Sequence, residues 1–165
     1  MVWRKRRAAF LQDKGEANKE SLRLLVTQTA DSHTPGLIAY SDDGEPVGWI
    51  SIGPRENFPA LENSRIWKRP DNEPVWSITC FVIRKGWQGR GLTVQLIEAA
   101  CQWAESQGAS IVEAYPTDPG DNKRQPGVFV WTGLAKAFQA AGFHEVVRRS
   151  PTKPLMRRHL SPSLQ

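Results

Sequence analysis

No run of about 18 apolar residues occurs anywhere in this chain of 165, so no membrane-spanning helix is encoded. Basic residues open it (Arg4, Lys5, Arg6, Arg7), but no apolar h-region follows, so nothing here reads as a signal peptide. Only two cysteines are present, Cys80 and Cys101. Each sits inside an apolar pattern, which points to reduced core thiols in a cytoplasmic protein. His33, His144 and His159 are scattered, and no metal-ligand spacing appears. Internal repeats and low-complexity segments are also missing.

What is present suits a packed globule. Hydrophobic residues make up 39% and seven residues are Trp, enough for one domain with one sizeable core over residues 1–165. Ser161 to Gln165 reads as a frayed tail. The net charge is +5, gathered at Arg4–Arg7 and between Arg148 and Arg158. Such a surface suits nucleic acid, a membrane surface or a phosphorylated cofactor, and it equally suits solvated termini. No aromatic-and-basic RNA motif or zinc finger accompanies it, so a nucleic-acid reading rests on charge alone.

In chain order, Trp3 and Phe10 anchor a short basic segment. Asn18 is placed to cap a helix running to about Thr29. A loop with His33 and Pro35 leads to a strand over Leu37–Tyr40. Asp43-Gly44 then marks a hairpin turn into a partner strand, Val47–Ile52. Gly53 to Pro74 is long and Pro-bearing, which predicts a helical turn near Pro59–Asn63 and a lid over a site. Later come a loop over Pro116–Pro126, a helix over Trp131–Ala141 ended by Gly142, and strands over Glu145–Arg148 and Leu155–Arg157.

The most informative stretch is Gln88-Gly89-Arg90-Gly91-Leu92-Thr93. An apolar strand, Trp76–Ile83, precedes it. A helical pattern from Leu92 to Gln107, closed by Gly108, follows it, and Ile111–Tyr115 then reads as another strand. Strand, helix, strand implies a right-handed parallel crossover. A glycine-bearing turn into a helix aims backbone N–H groups at one point, where the helix dipole is positive. A phosphate fits there without a charged side chain.

These residues resemble the GNAT superfamily of N-acetyltransferases. That family's pyrophosphate signature is Gln or Arg, two residues, Gly, one residue, then Gly or Ala. Here Gln88 to Gly91 match and Thr93 departs from the last position. Phe138-Gln139-Ala140-Ala141-Gly142-Phe143 is similar to the family's later aromatic-to-Gly-Phe motif. The resemblance spans roughly Leu37 to Arg158. It implies an α/β fold with a mixed, mostly antiparallel sheet, a central splayed parallel strand pair and flanking helices. The N-terminal part is short for the family, either abbreviated or completed by a second subunit in a homodimer.

The resemblance implies acetyl-CoA as co-substrate and a small-molecule or protein amine as acceptor, with direct attack in a ternary complex. It places the pyrophosphate on Gln88, Gly89, Arg90, Gly91, Leu92 and Thr93, and pantetheine on the main chain of Phe81, Val82 and Ile83. Arg84 and Lys85 are further candidates for phosphate contacts. Many members carry a Tyr acid where Phe138 stands, and Phe cannot donate a proton. Tyr115 is the alternative acid and Glu113 a candidate base. Asp71 and Glu73 are candidates to attract a cationic amine. A non-catalytic acyl-CoA-binding module is the alternative function.

Overall fold

A computed structural model of the chain describes residues 2–13, 15–28, 34–120 and 131–160. Thr29, His33, the later part of the Pro116–Pro126 loop and the tail from Ser161 lie outside the described residues. Helix α1 (Arg7–Gln12) and helix α2 (Glu16–Gln28) come first. Helix α1 is not foreseen from the sequence. Asn18 is not a cap: it lies inside α2, and its Nδ2 donates to Phe10 O at 3.1 Å, tying the two helices together.

Strand β1 (Gly36–Tyr40) and strand β2 (Pro46–Pro54) form the expected hairpin. Gly44 takes φ +79° in the turn, which only glycine adopts without strain, and its N–H donates to Ser41 O at 2.9 Å. The long connection contains helix α3 (Pro59–Glu62), close to where a helical turn is predicted. Strand β3 (Trp76–Ile83) pairs antiparallel with β2. Helix α4 (Leu92–Ser106) crosses over to strand β4 (Ile111–Ala114), which runs parallel to β3. Helix α5 (Ala135–Ala140) leads to the hairpin of strand β5 (His144–Arg148) and strand β6 (Pro154–His159). The sheet order is β1-β2-β3-β4-β6-β5, and β3–β4 is its parallel pair among the described strands. The mixed, mostly antiparallel sheet with flanking helices is the fold.

The sheet's two faces are covered differently. Helix α4 repeats apolar residues at helical spacing, so Leu96, Ile97, Ala100, Cys101 and Ala104 share one stripe. That stripe and Phe138 of α5 pack on Ile50, Ile78, Val112 and Met156. Burying one such side chain contributes roughly 1.5–3 kcal/mol. The long connection covers the other face, where Phe58, Leu61 and Trp67 pack with Tyr115 and Leu155.

Two of the boundaries that differ from expectation lie beside the diverging strands. The helix predicted over Trp131–Ala141 starts only at Ala135. Gly133 has φ +84° and Leu134 is extended, while Trp131 and Leu134 are 37% and 38% exposed. Their backbone pairs as a strand would: Thr117 N–H donates to Gly133 O and Ala135 N–H to Thr117 O, both at 2.9 Å. The other difference is that β4 ends at Ala114, not Tyr115. Pro116 follows, and with no N–H it cannot extend a ladder.

Candidate active site

Strands β3 and β4 pair only at Trp76–Val112, Ser77–Glu113 and Ile78–Ala114. Beyond this they part. Against β2, Ser51 faces Cys80 and Ile52 faces Ile78, so Thr79 is an extra residue on β3. A bulge of this kind bends and twists its strand, which turns Cys80–Ile83 away from β4. Arg84 N–H donates to Val47 O on β2. Strand alternation therefore directs the backbone groups of Phe81 and Ile83 to the opposite edge, into the gap. The Phe81 N–H donates to Trp131 O at 2.7 Å. The Trp131–Leu134 segment thus spans the two diverging strands.

A cleft of about 490 Å³ occupies this gap. Phe81, Val82 and Ile83 form one wall, Trp131, Gly133, Leu134 and Ala137 the other, and Gln88 and Thr93 one end. The predicted pantetheine strand and two residues of the predicted pyrophosphate turn therefore meet in one place. The second wall escapes the sequence reading. Gly133 inside an apparent helical pattern is the signal that could have revealed it.

Gly89 and Gly91 take φ +75° and +78°, and Gly91 is the N-terminal cap of α4. Gly91 O accepts from Val94 N–H at 3.0 Å and Gln95 N–H at 3.2 Å, which starts the helix. Among the described residues no acceptor meets the N–H groups of Gly89, Gly91, Leu92 or Thr93. Neither a capping side chain nor an acidic residue in the first turn offsets the dipole of this 15-residue helix. Arg84 and Arg90 flank the turn. Arg84 pairs with Glu45 at 3.3 Å, and the Arg90 guanidinium lies 5.0 Å from the Trp87 ring centre. Lys85 is exposed.

Glu113 and Tyr115 lie elsewhere. Both sit on the sheet face opposite α4, at 0% and 1% exposure. The Tyr115 hydroxyl donates to Glu113 Oε1 at 2.6 Å and lies 2.7 Å from Ser77 Oγ. Arg55, also fully buried, donates to Glu113, to the Tyr115 hydroxyl at 2.7 Å and to Trp67 O at 2.7 Å. Arg157 donates to the other Glu113 oxygen at 2.8 Å and to both Asp71 oxygens at 2.6 and 2.9 Å. Burial, then the charge of Glu113, pushes the Tyr115 phenol well above its usual range. Burial alone would weaken the Arg55 charge, but Tyr115, Glu113 and Glu62 outweigh it and raise its pKa. The sequence gives no signal for Arg55, Ser77 or Arg157, because the partners are 58 and 44 residues from Glu113 in the first and last cases.

Other sequence candidates are similarly engaged or inert. Phe138 is fully buried, edge-on to Phe81 and Phe143. Burial pushes the Cys101 thiol up to about 12 and raises that of Cys80, so neither is a ready thiolate. Asp71 is tied to Arg157, and Glu73 is exposed. His144 and His159 stack at 5.8 Å, and the described residues hold no cluster that would bind a metal. Much of the basic C-terminal cluster is paired: Arg148 with Asp118 and Glu145, Arg157 with Glu113 and Asp71, Arg158 with Glu98.

Known proteins give the same picture. The model of the Acetyltransferase (GNAT) family matches residues 3–129. A GNAT-family acetyltransferase from Listeria monocytogenes is similar in structure at TM-score 0.56 and 12% identity, over 76% of this chain and 64% of that one. A GNAT-family protein from Desulfovibrio desulfuricans gives 0.55 and 18%, over 92% and 88% of the two chains. The phosphinothricin acetyltransferase of Sinorhizobium meliloti, solved with acetyl-CoA, gives 0.54 and 13%, over 87% and 69%. No curated protein matches the sequence. The family match covers most of the chain, and the splayed strands open beside the glycine turn: the protein belongs to the GNAT family of acetyltransferases.

Proposed function

We propose that the protein moves the acetyl group of acetyl-CoA to a primary amine by direct attack, with both substrates bound. The observation that supports this most is the end of the cleft. There Gly89, Gly91, Leu92 and Thr93 present N–H groups without acceptors, at the uncompensated N-terminus of α4. A pyrophosphate supplies the missing acceptors, held by Gln88 to Thr93, with Arg84 and Arg90 beside it. The main chain of Phe81 and Ile83 faces the cleft, and beyond the Phe81 N–H, which Trp131 O takes, this strand edge suits the amides of pantetheine.

In the reaction the amine nitrogen forms a bond to the acetyl carbon and the carbon–sulfur bond breaks. The sulfur leaves with the bonding pair, and the proton shed by nitrogen ends on sulfur. The products are an N-acetyl amine and a free thiol. An ordinary thiol has a pKa of about 8.5, so its thiolate leaves without a strong acid. Water carries that proton in this reading. Tyr115 and Glu113, the acid and base candidates from sequence, position the seam between β3 and β4 instead.

Calorimetry with acetyl-CoA and release of thiol with a panel of amines test the proposal. Saturable binding with amine-dependent thiol release is expected. One observation favours a second reading, a non-catalytic acyl-CoA-binding module: no described residue lining the cleft ionises, and Phe138 cannot donate. Acetyl-CoA binding with no thiol release from any amine would support that module. The same proposal treats residues 1–165 as one domain. A single sheet running from β1 to β5 supports it.

A further inference from the structure

Trp131 borders two cavities. One is the cleft between β3 and β4. The other, of about 480 Å³, lies between α1 and the long connection after β2. We propose that this second cavity seats the acceptor, and that the acceptor is a primary amine bearing a carboxylate on an apolar body. The inference rests on the acetyl-transfer reading above and names its substrate class.

Position comes first. The Phe81 N–H fixes the Trp131 carbonyl at 2.7 Å, at the level where β3 and β4 separate. A group passing Trp131 from the second cavity therefore arrives where the acetyl group would lie. The volume suits a body the size of an amino acid rather than a folded protein surface.

The walls then select the chemistry. Trp3 packs against Trp67 at 5.0 Å and against Trp131 at 5.5 Å, giving an aromatic lining. Among the described residues, the charged side chains on the cavity are Arg6 and Arg7, and no carboxylate lines it. Their neighbours in sequence are engaged: Arg4 donates to Pro35 O at 2.9 Å, and Lys5 pairs with Asp13 at 2.8 Å. Arg6 and Arg7 have no ion-pair partner among the described residues. Behind this lining, Nε1 of Trp3 and of Trp67 are buried without an acceptor among the described residues, and Trp67 is only 7% exposed. The cavity thus offers positive charge and, among the described residues, lacks the acid that would hold an ammonium group. Aromatic rings can attract a cation, but two unpaired guanidinium groups oppose one here. An anionic group on the acceptor meets Arg6 and Arg7, an apolar body meets the tryptophans, and the neutral amine reaches past Trp131.

The test measures thiol release from acetyl-CoA by the full chain with matched acceptors: tryptophan against tryptamine, phenylalanine against phenethylamine, and spermidine as a cationic control. We expect kcat/KM for each carboxylated amine to exceed that of its decarboxylated partner by on the order of tenfold or more. In the doubly substituted Arg6→Gln, Arg7→Gln protein, that ratio should fall about tenfold, through KM rather than kcat. Both side chains are exposed, so folding is not at risk. Equal or better use of the decarboxylated amines or spermidine overturns the inference. So does an unchanged ratio in the double variant, or no turnover of any carboxylated amine. Calorimetry separates the two levels. Acetyl-CoA binding with turnover of only decarboxylated amines sinks the acceptor class alone, whereas no acetyl-CoA binding sinks the acetyl-transfer reading with it.

Discussion

Near the start of β3 and β4, Glu113, Tyr115, Ser77, Arg55 and Arg157 form a buried network in which each named polar group has a partner. A few residues further along β3 and into α4, the N–H groups of Gly89, Gly91, Leu92 and Thr93 have none among the described residues. The first region contains the ionisable residues that sequence reasoning favours for proton transfer. The second contains mostly backbone. Buried charges whose hydrogen bonds are complete hold a fold together, while donors left without acceptors are free for a ligand. Here chemistry is to be looked for where hydrogen bonds are incomplete, not where carboxylates and phenols collect.

The strongest way to break this contrast is to remove Glu113. Glu113→Ala leaves Arg55 and Arg157 buried without their shared anion, which should cost about 3–5 kcal/mol. Urea unfolding measures it. A loss under about 1 kcal/mol, with activity abolished, would return Glu113 to a catalytic role.

Next in size is the turn. Gly91→Glu puts a carboxylate where the pyrophosphate is proposed, and acetyl-CoA affinity by calorimetry should fall roughly 10–100-fold, or about 1.4–2.7 kcal/mol. A Cβ at Gly91 meets nothing within 4 Å, but its φ of +78° strains any other residue by about 1 kcal/mol. Gly91→Ala carries the same strain without the charge and should bind much better than Gly91→Glu. Equal affinities for the two variants would make the turn structural only.

Tyr115→Phe sharpens the other side. Loss of the hydroxyl should cost about 1–3 kcal/mol of stability, while kcat stays within about twofold. The phenol pKa is raised in the fold, so the native state keeps a proton that the unfolded chain releases above about pH 10. This contribution is complete below that pH and is lost as pH rises further. Wild type should therefore lose stability above about pH 10 more steeply than the Phe variant. A large fall in kcat with an altered pH profile would instead mark Tyr115 as the acid.

The smallest effect belongs to the rim. Hydrogen bonding to Arg157 lowers the Asp71 pKa, so its contribution is present above the ordinary Asp range near pH 4 and lost as pH falls through the lowered value. The side chain is 41% exposed, and solvent screening should keep the Asp71→Asn loss under about 1 kcal/mol. Melting curves at pH 7 and pH 3 would show it as a slightly flatter acid limb. A loss above about 2 kcal/mol would extend the buried network to its rim.

Local signals were legible wherever they were strong. Asp43-Gly44 gave the hairpin, the apolar spacing from Leu92 gave α4, and Gly89 and Gly91 marked the turn. The Trp131 segment was misread because its aromatic and apolar residues fit a helical period. Its geometry is set by Thr117, distant in sequence, which pairs with its backbone. Asn18 was misread as a cap for a similar reason, since its actual partner, Phe10 O, lies on another helix.

By itself the sequence determined the strand–turn–helix–strand unit from Trp76 to Ala114, because hydrophobic period and glycine placement act within a few residues. It also determined where an anion could be bound, since the open N–H groups at the start of α4 follow from local backbone conformation. Only the tertiary structure decided which groups surround Glu113 and Tyr115. Arg55 and Arg157 reach Glu113 from other elements and share its two oxygens. Only tertiary packing, too, set Trp131 between two cavities and left Arg6 and Arg7 on one of them without an ion-pair partner among the described residues. Which polar groups are satisfied depends on contacts between distant segments, and no local pattern encodes that.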